Sequence, residues 1–70
     1  MADHIVDARG LSCPQPVMLA QKAIQQGAFP IEVLVDTVTA RENVLRMARQ
    51  VGCQVEVTQE GDEFRLTVSK

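Results

Sequence analysis

Ile31-Glu-Val-Leu-Val35, running on through Asp36-Thr-Val-Thr-Ala-Arg-Glu-Asn-Val44 to Gly52, is the stretch that decides the fold. Its first five residues form an apolar, mostly β-branched run behind Pro30. Such a run reads as a strand largely buried on both faces. Asp36 ends it. Thr39-Ala-Arg-Glu42 matches a capping box, in which the threonine hydroxyl bonds inward and the glutamate reaches back. The spacing then predicts a helix from about Ala40 to Val51. Ala40, Val44, Met47, Ala48 and Val51 fall on its apolar face, and Gly52 closes it. A strand that hands its chain directly to an amphipathic helix is one half of an α/β unit.

Working outward, the N-terminal side repeats the pattern. His4 to Ala8, centred on Ile5 and Val6, reads as a strand ending at Arg9-Gly10. A helix follows from about Pro14 to Gln26. Val17, Ala20, Ala23 and Ile24 make its apolar stripe, with Met18 and Leu19 at the flanks and Gly27 as the stop. On the C-terminal side, Cys53, Val55 and Val57 alternate with Gln54, Glu56 and Thr58. Gln59-Glu-Gly-Asp62 reads as a turn. Phe64, Leu66 and Val68 then alternate with Arg65, Thr67 and Ser69, which makes the last two strands a hairpin. The order is β-α-β-α-β-β. The expected architecture is α/β, an α+β two-layer sandwich with both helices on one face of a four-stranded mixed sheet. Residues 1–70 read as a single domain without repeats or linkers.

Composition narrows the function. A 70-residue chain buries only about 60% of its unfolded surface, so an enclosed substrate cavity is not expected. The net charge of −2, the absence of Trp and Tyr, and only two Phe argue against nucleic-acid binding. The N-terminus lacks the basic and apolar regions of a signal peptide, and no apolar run reaches membrane-spanning length. A cytoplasmic protein with reduced thiols is the expectation. His4, Cys13 and Cys53 make a poor ligand set, so neither a metal nor another cofactor is expected.

The chemistry points to Cys13-Pro14-Gln15-Pro16. Proline is favoured at the first helical position, which would make Pro14 that residue and Cys13 the N-cap. A sulfur there meets the positive end of the helix dipole, which favours the thiolate. Pro14 and Pro16 remove two of the first-turn donors, while Gln15 and Val17 keep theirs, so the sulfur would be only lightly capped. Pro16 also disfavours helical geometry at Gln15 and predicts a distorted first turn. The same spacing suits a small buried hydrophobe ahead of a helix, and by itself it leaves these two readings even. Cys53 shares a strand face with Val55 and Val57 and is expected to be a structural, buried thiol.

Asp7-Ala-Arg-Gly-Leu-Ser-Cys13-Pro-Gln-Pro-Val17 closely resembles the signature of the TusA/SirA-like sulfur-carrier family. Chain length and element order match it too. The resemblance implies a sulfurtransferase activity in which Cys13 takes persulfide sulfur from a donor, often a cysteine desulfurase. It passes that sulfur to an acceptor, such as a DsrE-like sulfurtransferase. Known destinations in the family are wobble-uridine thiolation in tRNA, molybdenum-cofactor sulfur supply and sulfur oxidation. In one respect the chain departs from TusA proper. Asp36 is followed by Thr37 where that branch has an Asp-Pro pair, although Arg41 and Glu42 align with its Arg-Asp pair. Val35–Val44 and the ending Gln54-Val-Glu-Val…Phe64-Arg-Leu-Thr-Val68 look more like YedF-type proteins. Those often join this domain to a DsrE-like one and are sometimes linked to selenium metabolism. Both a single-domain relative and an N-terminal domain fit the sequence.

On the carrier reading, Asp7 and Arg9 support the loop before Cys13, or Arg9 supplies a local positive field. Gly10 allows a backbone conformation that other residues resist. Lys22, Arg41, Arg46 and Arg49 are candidate docking cations for an acidic partner around Cys13, against the alternative of solvated helix faces. A monomer without membrane attachment is expected. Two other functions compete. One is a non-catalytic interaction or regulatory module, with Cys13 incidental. The other is a thioredoxin-type redox enzyme, against which the missing CxxC weighs.

Overall fold

A computed structural model describes residues 4–11, 15–27 and 29–70. The elements are β1 (His4–Asp7), α1 (Gln15–Gln26), β2 (Ile31–Val35), α2 (Val38–Gln50), β3 (Gln54–Glu60) and β4 (Glu63–Ser69). This is the expected β-α-β-α-β-β order and an α+β fold. The strands lie in the order β1-β2-β4-β3. β1 and β2 are parallel, as a crossover through α1 requires. β4 is antiparallel to both its neighbours, so the final hairpin inserts its second strand into the middle of the sheet.

Register builds the core. Ile31 sits opposite Val68, Val33 opposite Leu66, and Val35 opposite Phe64, and all six are buried. The helices meet this bulky layer mostly with alanines, Ala20 and Ala23 from α1 and Ala40 and Ala48 from α2, with Val44 of α2 between the last two. Pro16 is buried as the second residue of α1, a first-turn position that proline tolerates. Val17 and Ile24 are half-buried beside the core, as their stripe predicts, whereas Met18 is 61% exposed.

Burial of β2 on both faces is not what the fold provides. Its pattern alternates, with Glu32 and Leu34 only half-buried. Both helices pack on one side, so the opposite face meets solvent. There Arg65 brings Nε to 3.3 Å from Glu32, an ionic contact whose angle falls short of a hydrogen bond, and donates from Nη2 to Glu60 at 3.0 Å.

The start of α2 also differs. Thr37, not Thr39, is the N-cap: its hydroxyl accepts from Ala40 N at 3.0 Å, and Arg41 N donates to Thr37 O at 3.0 Å. Starting at Val38 adds backbone hydrogen bonds directly after β2 and leaves Glu42 too far along to reach back. Thr37→Ala is expected to cost about 1 kcal/mol, read as a lower urea midpoint at unchanged slope. Thr39→Ala, made in parallel, should cost little.

At the other end Val51 is the C-cap, and Gly52 follows with φ +87°. Cys53 N bonds Ala48 O and Gly52 N bonds Arg49 O, the paired bonds of a Schellman motif. The chain reverses there and turns Cys53 inward. Val51 thereby leaves the helical register and is 51% exposed, not part of the apolar face. In the hairpin, Glu60 pairs with Glu63, so the turn is the two residues Gly61-Asp62 and is shorter than its sequence suggests.

Candidate functional site

Parallel pairing brings the C-terminal ends of β1 and β2 together. The first residues of α1 and α2 and the start of β4 share that end of the molecule. In open α/β sheets this is the end where ligands and reactive groups collect. Leu11 and Gln15, the described residues that flank Cys13 in the sequence, follow β1 and open α1. Cys13 and Pro14 lie outside the described residues, and with them the N-cap and first-turn roles read from the sequence. Gln15 is exposed and already helical, so Pro16 does not delay the helix beyond it.

The approach to Cys13 is fixed from three elements. Arg9 grips Asp7 with two bonds, Nε to Oδ1 at 2.8 Å and Nη2 to Oδ2 at 2.9 Å. Its backbone N–H bonds the same carboxylate, and Nη1 reaches Glu63 Oε1 on β4 at 3.2 Å. Gly10 N donates to Asp36 Oδ2 at 2.9 Å, which ties this loop to the β2–α2 junction. Gly10 stands at φ +76°, in the left-handed region, where a side chain would be strained.

This arrangement gives Arg9 a defined part. With two carboxylates around one guanidinium it is loop support rather than a free positive field. The hydrogen bonds from Arg9 hold the Asp7 carboxyl down at about 2, from an ordinary 3.8. Those to Asp7 and Glu63 keep Arg9 more firmly protonated. A lowered carboxyl pKa stabilises the fold above the unfolded value, and that stabilisation is lost as pH falls through the folded one. Acid unfolding is therefore expected to gain a component between about pH 4 and pH 2 that Asp7→Asn removes. The pair is exposed, so the effect is modest.

Asp36 and Glu63 complete the cluster, and neither is a site residue on the sequence reading. Asp36 carries a signal, as a carboxylate directly after a strand beside the loop. Glu63 carries none, because its place depends on β4 lying next to β2. In Asp36→Ala the Gly10 amide is expected to lose its protection from hydrogen exchange. Asp36→Asn, which keeps an acceptor, should restore much of it.

The four candidate docking cations do not form one surface. Lys22 lies in a groove with Ile5, Val6, Asp7 and Leu19 along the β1 edge. Arg41 stacks over Phe64, 4.8 Å from the ring centroid, and pairs with Glu42 at 3.7 Å. Arg46 and Arg49 share a separate groove on α2. Cys53 is a free, buried thiol, as its strand pattern predicts, with 8% of its surface exposed. Among the described residues no group of three His, Cys, Asp or Glu side chains is placed to hold a metal, and no helix is long and apolar enough to cross a membrane.

Fold and site together define a small α+β domain in which Arg9 and Gly10, just ahead of the Cys13 segment in the sequence, are latched at the shared end of two helices and two parallel strands. The family model described as sulfurtransferase TusA matches residues 4–70, and the chain belongs to that family. A crystal structure of a SirA-like protein from Desulfitobacterium hafniense is similar to it, with 31% identity and a TM-score of 0.85. The match covers 94% of this chain and 95% of that one. Membership of this family carries a sulfur-carrier or sulfurtransferase role in general terms.

Proposed function

We propose that the protein is a persulfide carrier with Cys13 as its sulfur-bearing residue. The observation that carries this reading is the family match across residues 4–70, which spans the Cys13-Pro14-Gln15-Pro16 segment. The latched loop and the burial of Cys53 support it. In the first step the Cys13 thiolate attacks the outer sulfur of a donor persulfide. The donor's S–S bond breaks, the donor leaves as a thiolate, and Cys13 holds the sulfur as S–SH. In the second step an acceptor thiolate attacks that outer sulfur, and Cys13 leaves as a thiolate. Each step makes one S–S bond and breaks one, so no external oxidant or reductant is consumed.

The donor on this reading is a cysteine desulfurase or another protein persulfide, and the acceptor is a DsrE-like sulfurtransferase or a comparable cysteine protein. The relay works in the cytoplasm and feeds thiolation of tRNA or a related branch of sulfur metabolism. Intact-protein mass spectrometry after incubation with a cysteine desulfurase and cysteine, or with inorganic polysulfide, tests it. The expected result is a gain of one sulfur atom that a reductant removes. No adduct from either donor would overturn the proposal and favour a non-catalytic interaction module.

A further inference from the structure

We propose that the outer face of α2 is a docking groove for an acidic protein segment, with Arg46 and Arg49 as its carboxylate-binding pair. Three of the five arginines are already matched to carboxylates: Arg9 to Asp7 and Glu63, Arg41 to Glu42, and Arg65 to Glu32 and Glu60. Arg46 donates to the Asn43 amide oxygen. Neither Arg46 nor Arg49 has a carboxylate within ion-pair distance among the described residues, and both line the same open groove of about 490 Å³, with Glu42, Leu45 and Gln50. In a chain of net charge −2, the uncompensated guanidinium charge is gathered in one place.

The groove's other residues shape what fits there. Glu42 is engaged by Arg41, so it offsets the two groove arginines only in part. Leu45 is half-buried, and Val38, seven residues earlier on the same helical stripe, is 55% exposed. Residues three apart on a helix are surface neighbours, roughly 5–6 Å between Cβ atoms. Arg46 and Arg49 can therefore each take one carboxylate of an acidic pair in forked geometry. A partner segment with two acidic side chains beside an apolar one is complementary in charge and in apolar contact. Single-stranded RNA is the poorer match: the groove offers two cations and no aromatic face for a base.

Position gives the groove its use, which rests on the carrier reading. Arg46 and Arg49 lie nine and twelve residues past Thr37, so they stand roughly 14–18 Å along the helix from the end where the Cys13 loop begins. A partner held there leaves the sulfur-bearing end uncovered for transfer. This differs from docking around Cys13 itself, and it excludes Lys22 and Arg41 from the docking surface.

The test is an NMR titration of the ¹⁵N-labelled chain with a short capped helical peptide carrying Glu pairs beside Leu, and with the same peptide carrying Gln for Glu. Amide shifts confined to the Glu42–Gln50 turns of α2 are expected with the Glu peptide. Affinity should fall about tenfold or more in Arg46→Glu/Arg49→Glu, and also in the milder Arg46→Gln/Arg49→Gln, but not in Lys22→Glu. The proposal is overturned by no shift at millimolar peptide, by shifts centred elsewhere, by equal binding of the Gln peptide, or by tighter binding of a short single-stranded RNA. Loading from inorganic polysulfide separates the two ideas. A folded groove variant that loads sulfur but no longer binds peptide supports the docking groove. A wild-type chain that binds peptide but never loads sulfur overturns the carrier reading and leaves the groove standing.

Discussion

Cys13→Ala is expected to take up no sulfur from any persulfide donor, while Cys53→Ala loads as the wild type does. The expected difference is complete, because persulfide exchange needs a thiolate and alanine offers no substitute. Cys53 lies directly after the helix cap formed by Val51 and Gly52, turned into the core with 8% of its surface exposed. Burial among apolar side chains bars an incoming sulfur. Cys13 belongs to the connection whose near side is held by Arg9, Asp36 and Glu63. Intact mass after donor treatment checks both variants. Loading that persists in Cys13→Ala and disappears in Cys53→Ala would reverse the assignment. Thermal melts of Cys53→Ala should show a loss of stability, since removing a buried thiol costs packing.

Leu66→Ala is the substitution expected to weaken the fold most. Leu66 is fully buried on β4, between Val33 on β2 and Val57 on β3. Truncating such a side chain removes its transfer free energy and leaves a cavity, a loss of about 2–5 kcal/mol. A domain of this length has a total stability of roughly 4–10 kcal/mol. The variant should therefore be near its unfolding threshold at room temperature, and urea denaturation at constant slope would measure it. Val57→Ala, on the exposed edge strand of the same register row, provides the comparison and should cost far less. A Leu66→Ala loss below about 1 kcal/mol would mean that the β2–β4 layer is not the centre of the core.

The elements themselves were legible because their signals are local. Alternation in Phe64, Leu66 and Val68, and the helical spacing of Val17, Ala20, Ala23 and Ile24, state which side of each segment turns inward whatever the rest of the chain does. The glycine after α2 and the inward turn of Cys53 follow from the same short-range logic. Where two local signals compete, sequence alone does not arbitrate. Thr37 and Thr39 are both competent caps, and the choice falls to Thr37 because the helix follows β2 without an intervening loop. Val51 fits the helical period, yet the Schellman turn removes it from the helix.

The sequence by itself determined the six elements, their order, the two-layer class and the family, because each rests on periodicity or on a contiguous motif. Only the tertiary structure decided that β4 lies between β2 and β3. From that placement Glu63 meets Arg9 across 54 residues of chain, while the parallel pairing of β1 and β2 lets Asp36 hold Gly10. The same packing assigned Arg41 to Phe64 and left Arg46 and Arg49 together on the outer face. The physical reason is that a residue's own periodicity fixes the direction of its side chain. The groups it meets there are fixed by strand register and helix packing among segments distant in the chain.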